Sequence, residues 1–299
     1  MMTRRAGSPG LAVALMAATL LSPVCAFAQD TPDFSPLALT DDLEFLRANT
    51  PVGNPSTLLY RGEDFVLVVD PGLEHTADLL AETVAGELGE RRLYAVTTHA
   101  HRDHMEAAPA LPRPLVQIAT EYQFDALPAQ PGMTRLAVDG EITLGDGAVR
   151  IGSFPNTAAH TGGDLWIHFP DAGVLAVGDH FFLDRYPIID VNGGGDPAGY
   201  FANIDWMVET FPAETRVVPG HSTFGPDAPR VAILDDLASW AGELRNSVSV
   251  IRQMAAQGLS EAEIVEAGLG PRFAHLNERP RFVSEERWIG FVLANPPQR

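Results

Sequence analysis

The sequence predicts an α/β protein built from a pair of sheets with helices, and two observations point there. Short β-rich apolar runs recur between residues 57 and 218, punctuated by Gly, Pro and Asp, and segments of helical periodicity lie between and after them. The residues able to do chemistry follow these runs: His99, Asp179 and His221 each come just after one. Loops at one edge of a sheet pair, backed by rigid strands, suit such residues because strands fix them and loops expose them.

Residues 1–28 read as a secretory signal. Arg4 and Arg5 give a basic start, 11–21 is an apolar run, and Ala26-Phe27-Ala28 is a small-x-small cleavage site before Gln29. The run is too short and too early for a spanning helix. The mature chain is expected to start near Gln29 and to be periplasmic or secreted. The only cysteine, Cys25, lies in the signal, in a poor lipoprotein context. The mature chain therefore forms no disulfide and offers no thiolate to a metal.

A polar, proline-containing N-terminal arm is expected over 29–53, then a domain over 54–225. The domain opens with strands over 57–60 and 65–69 around the turn Arg61-Gly62-Glu63-Asp64, which reads as a hairpin. Asp70-Pro71-Gly72 stops the second strand, and a helix is expected over 74–88. Further strands are expected at 93–98, 115–119, 141–144, 149–154, 164–169, 173–177 and 216–218, the last ending in Pro219-Gly220-His221.

Residues 226–299 read as a helical extension of the same domain. Leu234, Leu237, Ala241, Leu244, Val248, Ile251 and Ala255 recur at alternating spacings of three and four, the apolar stripe of a helix over 229–257 that Gly258 ends. Such a stripe either packs on the sheet or forms a homodimer seam. Ser260 and Glu263 make a capping box for a further short helix, and 284–293 fits a terminal one.

The formal net charge is −19, and loss of Arg4 and Arg5 with the signal makes it −21; every base is Arg, with no lysine. That charge opposes nucleic acid and anionic membrane as partners and leaves a small-molecule substrate.

Thr98-His99-Ala100-His101-Arg102-Asp103-His104 is a His-x-His-x-Asp-His run, and His160, Asp179 and His221 follow at wide spacing. Imidazole and carboxylate are the ligands zinc takes when thiolate is absent. A solvated His-rich turn is the alternative reading. The full set, in this order, resembles the metallo-β-lactamase superfamily over about residues 54–221. The resemblance implies an αββα sandwich, two mixed sheets flanked by helices with metals at one edge. It implies His99, His101 and His160 on one ion, Asp103, His104 and His221 on a second, and Asp179 bridging them, so about two Zn2+ per chain. It further implies a bridging hydroxide as nucleophile, with Asp103 as the catalytic residue that orients it and helps pass its proton on. Asp70 falls where the family has a carboxylate that steadies the ligands; a turn former before Pro71-Gly72 is the plainer reading.

Other residues carry less. Asn192, ahead of Gly193-Gly194-Gly195, could donate a hydrogen bond to an oxyanion, or the run is simply a flexible turn. Phe181, Phe182 and Tyr186 are pocket wall or core, and His180 lines the pocket or is buried. Arg102 reaches a substrate carboxylate or forms a structural salt bridge. His75, His168 and His275 are not assigned to metal.

The resulting expectation is a metal-dependent hydrolase acting on an ester, lactone or amide/β-lactam-type bond, with specificity set near 61–64, 122–131 and 185–196. The mature chain lacks the cysteine ligand, and the lysine that often accompanies it, of one well-known subclass of zinc β-lactamases. A glyoxalase II-type thioesterase is an alternative, although its tail is basic with lysine and this one has only arginines such as Arg245, Arg252, Arg272, Arg279, Arg281 and Arg287. A mononuclear iron oxygenase and a non-catalytic metal-binding protein are the others.

Overall fold

Residues 65–69, Phe-Val-Leu-Val-Val, are buried at every position. Phe65, Leu67 and Val69 enter one apolar core, while Val66 and Val68 enter another. Side chains alternate across a strand, so this strand belongs to a sheet covered on both faces. The computed structural model describes residues 34–48, 55–127, 129–221, 231–277 and 283–296, and shows what covers each face. The expected signal segment and the start of the 229–257 helix lie outside the described residues.

The first sheet contains β1 (Phe34–Ala38), β2 (Leu43–Ala48), β3 (Ser56–Arg61), β4 (Phe65–Val69), β5 (Arg92–Val96), β6 (Leu115–Ala119) and β7 (Met133–Ala137), in sequence order. Pairing is antiparallel from β1 to β4 and parallel from β4 to β7. Helix α1 (Ala77–Leu88) connects β4 to β5, α2 (Arg102–Met105) follows β5, and α3 (Glu121–Ala126) follows β6. The second sheet contains β8 (Glu141–Leu144), β9 (Val149–Ser153), β10 (Leu165–Phe169), β11 (Val174–Ala176), β12 (Arg216–Val218) and β13 (Ala232–Ile233), with α4 (Pro197–Thr210) between β11 and β12. Only β11 and β12 are parallel there. Helices α5 (Leu234–Ala256), α6 (Glu261–Ala267) and α7 (Glu285–Ala294) complete the described chain.

Phe45, Leu58, Val96 and Ile118 of the first sheet meet Ile151, Ile167 and Val174 of the second in the central core. Leu80 and Val84 of α1 cover the outer face of the first sheet. Tyr200 and Met207 of α4, Leu237 and Leu244 of α5, and Trp288 of α7 cover the second around Trp166, Leu175 and Val217. This is the αββα sandwich, two mixed sheets flanked by helices.

Two differences from expectation stand out, and of the two readings of the α5 stripe one holds. The stretch read as an arm contains the β1–β2 hairpin, because Leu43, Phe45 and Leu46 find burial at the sheet edge. The helix expected from 74 begins as a 3-10 turn, Glu74–Thr76, before α1. The α5 stripe is turned inward: Leu234, Leu237, Ala241, Leu244 and Ile251 are buried, and Val248 and Ala255 pack against the same core. Burying one Leu is worth roughly 2 kcal/mol relative to exposure, so the stripe that could have formed a dimer seam is committed to the chain's own core. No described helix is long and apolar enough to cross a membrane.

Candidate metal centre

Parallel neighbours end side by side, and the site uses that. Asp70 follows β4 and His99 follows β5 in the first sheet; Asp179 follows β11 and His221 follows β12 in the second. His160 lies in the connection from β9 to β10. The two sheets are tied together at this end by Ser56 N donating to Gly220 O at 2.8 Å and by a bridge between Pro55 and His221. Close approach here requires glycine. A Cβ on Gly220 would sit 1.9 Å from Asp179 Oδ1, and one on Gly178, whose φ is +51°, would sit 2.4 Å from Thr98 Oγ1.

The seven expected residues converge as two groups that share one carboxylate. His99 Nε2 lies 3.1 Å from His101 Nδ1, and His160 Nε2 lies 3.2 Å from the same atom. Asp179 Oδ2 is 3.7 Å from His99 Nε2 and 3.5 Å from His160 Nε2. Its other oxygen, Oδ1, is 3.5 Å from both His104 Nε2 and His221 Nε2. Asp103 Oδ2 closes the second group, 3.3 Å from His221 Nε2 and 3.8 Å from His104 Nε2. Most of these side chains are buried, but His101 and Asp103 keep 29% and 33% exposure. Each group thus has one donor at the mouth, and the centre opens between them.

Four of the imidazoles have their outward nitrogen already spoken for. His104 Nδ1 donates to Asp70 Oδ2 at 2.8 Å, and His160 Nδ1 donates to Ile188 O at 2.9 Å. Thr98 Oγ1 spends its proton on Asp70 Oδ2, so at 3.0 Å it accepts from His99 Nδ1. His101 Nε2 donates to Asp190 Oδ2 at 3.1 Å. Each bond holds a proton on the outward nitrogen, so that in the neutral imidazole the other nitrogen's lone pair faces the cluster. Asp70 takes an unusual φ of +49° to do this, with Thr98 N also donating to its Oδ1 at 2.7 Å.

The electrostatics divide the imidazoles into neutral and charged ones. Burial holds His160 down to about 4 and His99 well below the usual imidazole range, with neighbouring imidazoles adding to the effect. Burial opposes charge on His104 too, but Asp70, Asp103 and Asp179 outweigh it and lift that imidazole to about 10. Burial pulls Asp179 upward, yet His221, His99 and His104 hold it well below the usual carboxylate range. Asp179 Oδ1 is buried without a hydrogen-bond partner among the described residues. Zinc–nitrogen bonds of about 2.0–2.1 Å in a tetrahedron separate neighbouring donors by about 3.3 Å, close to the spacings found. The donor chemistry, the spacing and the orphaned oxygen fit a pair of divalent cations.

The sequence matches the family model of the metallo-β-lactamase superfamily over residues 50–221. The chain belongs to this superfamily. It is therefore of a hydrolase superfamily and carries a His/Asp cluster suited to metal. A hydroxyacylglutathione hydrolase from Brucella anthropi is 26% identical over 220 residues, covering 69% of this chain and 79% of its own. Among solved structures, a metallo-β-lactamase from Pontibacter korlensis is similar with a TM-score of 0.54 and 18% identity, over 72% of this chain and 100% of its own. The DIM-1 metallo-β-lactamase gives 0.55 and 18%, over 72% and 99%. These two likenesses show the shared metallo-β-lactamase fold.

The remaining expected residues are placed as follows. Asn192 is exposed in the turn that begins at Val191. His180 is buried, stacked between Phe154 and Tyr200, and accepts from Asn203 Nδ2 at 3.2 Å. Arg102 points outward to Glu106. Phe181, Phe182 and Tyr186 are core, and Phe182 also stacks on His221. His168 packs on Phe211, outside both ligand groups. Sequence reasoning missed Asp190, Thr98 as an acceptor, and the Ile188 carbonyl. None of the three carries a spacing signal, since a lone Asp before a glycine turn looks like turn chemistry and a carbonyl has no sequence.

Proposed function

We propose that the chain is a dinuclear zinc hydrolase that cleaves an acyl bond of the ester, lactone or amide/β-lactam type in a small molecule. The division of Asp179 carries this reading: one carboxylate presents one oxygen to each of two His/Asp groups. His99, His101 and His160 would hold one cation, Asp103, His104 and His221 the other, and Asp179 both. When bound, two such cations supply a water acidic enough to ionise near neutral pH and polarise the bond to be broken.

The chain's own residues do the rest. Asp103 sits at the mouth with a third of its side chain exposed, so its carboxylate would orient the attacking water and help pass its proton on. Asp70, Thr98 and Ile188 O keep His104, His99 and His160 in single orientations. Phe182, stacked on His221 and fully buried, excludes solvent from the inner side. The hydroxyacylglutathione hydrolase relative supports a thioesterase as the second reading. The basic and apolar features of residues 1–28 support export to the periplasm or beyond.

The test is a hydrolysis screen of zinc-loaded protein against lactones, esters, thioesters, β-lactams and phosphodiesters. Metal-dependent turnover of at least one carbonyl class is expected. Turnover of phosphodiesters alone, or no turnover with any divalent cation, would overturn the reading.

A further inference from the structure

Each ligand group is backed by one carboxylate that grips one of its imidazoles. Asp70 does this for His104. On the other side, Asp190 Oδ2 accepts from His101 Nε2 at 3.1 Å. Asp190 is only partly covered, with 33% exposure, yet every polar atom it has is held. Its N donates to His160 O at 2.9 Å, its O accepts from Gly195 N at 2.8 Å, and its Oδ1 accepts from Gly193 N at 2.9 Å.

The three glycines that follow are needed to make this seat. A Cβ on Gly193 would fall 2.3 Å from Asp190 Oδ2, and one on Gly195 would fall 2.5 Å from His160 O. Gly194 has a φ of +81°, and a Cβ there would press on Gly162 Cα at 3.0 Å. The turn is also clamped from outside, because Tyr122 and Gly162 N both donate to Gly193 O. A run that reads as flexible in sequence is a close-packed cradle around one carboxylate.

We infer that Asp190 is a positioning residue for His101 and that the Gly193–Gly194–Gly195 turn exists to seat it. By holding the proton on Nε2, Asp190 keeps the Nδ1 lone pair aimed at the point where His99 Nε2 and His160 Nε2 also converge. His101 is the most exposed imidazole of its group; His99 and His160 meet its ring edge-on, and this bond fixes its remaining nitrogen. The inference rests on the dinuclear reading of the cluster.

The test is zinc affinity, measured by chelator competition on the purified protein without reference to turnover. Asp190→Ala should weaken one of two sites by about 10- to 100-fold and leave the other at its wild-type affinity. Asp190→Asn keeps an acceptor oxygen and should retain most of the affinity. Gly193→Ala leaves every ligand and the carboxylate intact but displaces the carboxylate, so it should mimic Asp190→Ala. Gly242→Ala, where a Cβ meets nothing within 4 Å, controls for a generic glycine effect. Wild-type affinity at both sites in Asp190→Ala and Gly193→Ala would overturn the positioning role while leaving the dinuclear reading intact. Failure of the wild-type protein to bind zinc at all would overturn the dinuclear reading, and this inference with it. Should Asp190→Ala not fold, Gly193→Ala against Gly242→Ala decides the matter alone.

Discussion

Asp70 Oδ2 lies 2.8 Å from Nδ1 of His104, and both side chains are shut away from solvent. The contact joins the end of β4 to α2, and Asp70 also takes Thr98 N and Thr98 Oγ1. Asp70→Ala strips partners from a buried imidazolium and from two buried donors. It should destabilise the metal-free protein by about 3–5 kcal/mol, the range for breaking a buried pair. Denaturant unfolding checks this, and a wild-type midpoint in Asp70→Ala would be the contrary result. Asp70→Asn, which retains an acceptor, should fall between.

The lifted His104 imidazole gives cation uptake a pH dependence. In the metal-free protein His104 keeps its second proton until pH reaches about 10. A cation at Nε2 must displace that proton, so near pH 7 uptake should release about one proton from this residue. Affinity at the group containing His104 should therefore rise with pH between 6 and 8, by roughly tenfold per unit for one released proton. Zinc titration in weak buffer with a pH indicator reads the release. Flat affinity over that range would contradict it.

Stability of the metal-free protein should have limbs on both sides of neutrality. His160 is held down to about 4, below its unfolded value, so its contribution is present above about 6.5 and is lost as pH falls toward 4. His99 and His180 are shifted downward as well and add to this acid limb, while the lowered Asp179 acts only below about 3.8. Asp164, raised by burial to about 6, acts in the opposite sense but alone. The raised His104 supplies the alkaline limb: its contribution is present below about 6.5 and is lost as pH rises through about 10. Melting temperatures of the chelated protein from pH 4 to 10 should trace a dome, and a monotonic rise with acidity would contradict the assignment.

Asp103 and His168 separate the site from its surroundings. Asp103→Asn keeps the size and removes the charge at the mouth, so turnover should drop on the order of a hundredfold or more, with much less effect on folding. His168→Ala changes a residue packed on Phe211 and should leave zinc content untouched. Near-full activity in Asp103→Asn, or metal loss in the His168 variant, would count against the proposed roles.

Much of this was legible in the sequence, for reasons that can be named. The strand of residues 65–69 is apolar on both faces, and the ligands stand in a known order at strand ends. β7 was not legible, because Met133–Ala137 is an exposed edge strand with no alternating pattern. α4 was missed although Asp196 caps it and Pro197 opens it, because the preceding glycines made the whole region read as connection. α3 is capped by the Thr120–Gln123 box, but six residues are too few to show a period. Asp190 was invisible for a different reason. Its role depends on His101, 89 positions away in the chain, and no local pattern encodes that contact.

The central claim is that Asp179 divides its two oxygens between two cations. The most direct measurement is the zinc-to-chain ratio of folded, zinc-loaded protein by elemental analysis after removal of free metal, with Asp179→Ala alongside. The account predicts close to two zinc per wild-type chain, from the two groups that share the carboxylate, and a clear loss in Asp179→Ala. A wild-type ratio of one or none, or an Asp179→Ala protein that still holds two, would contradict it.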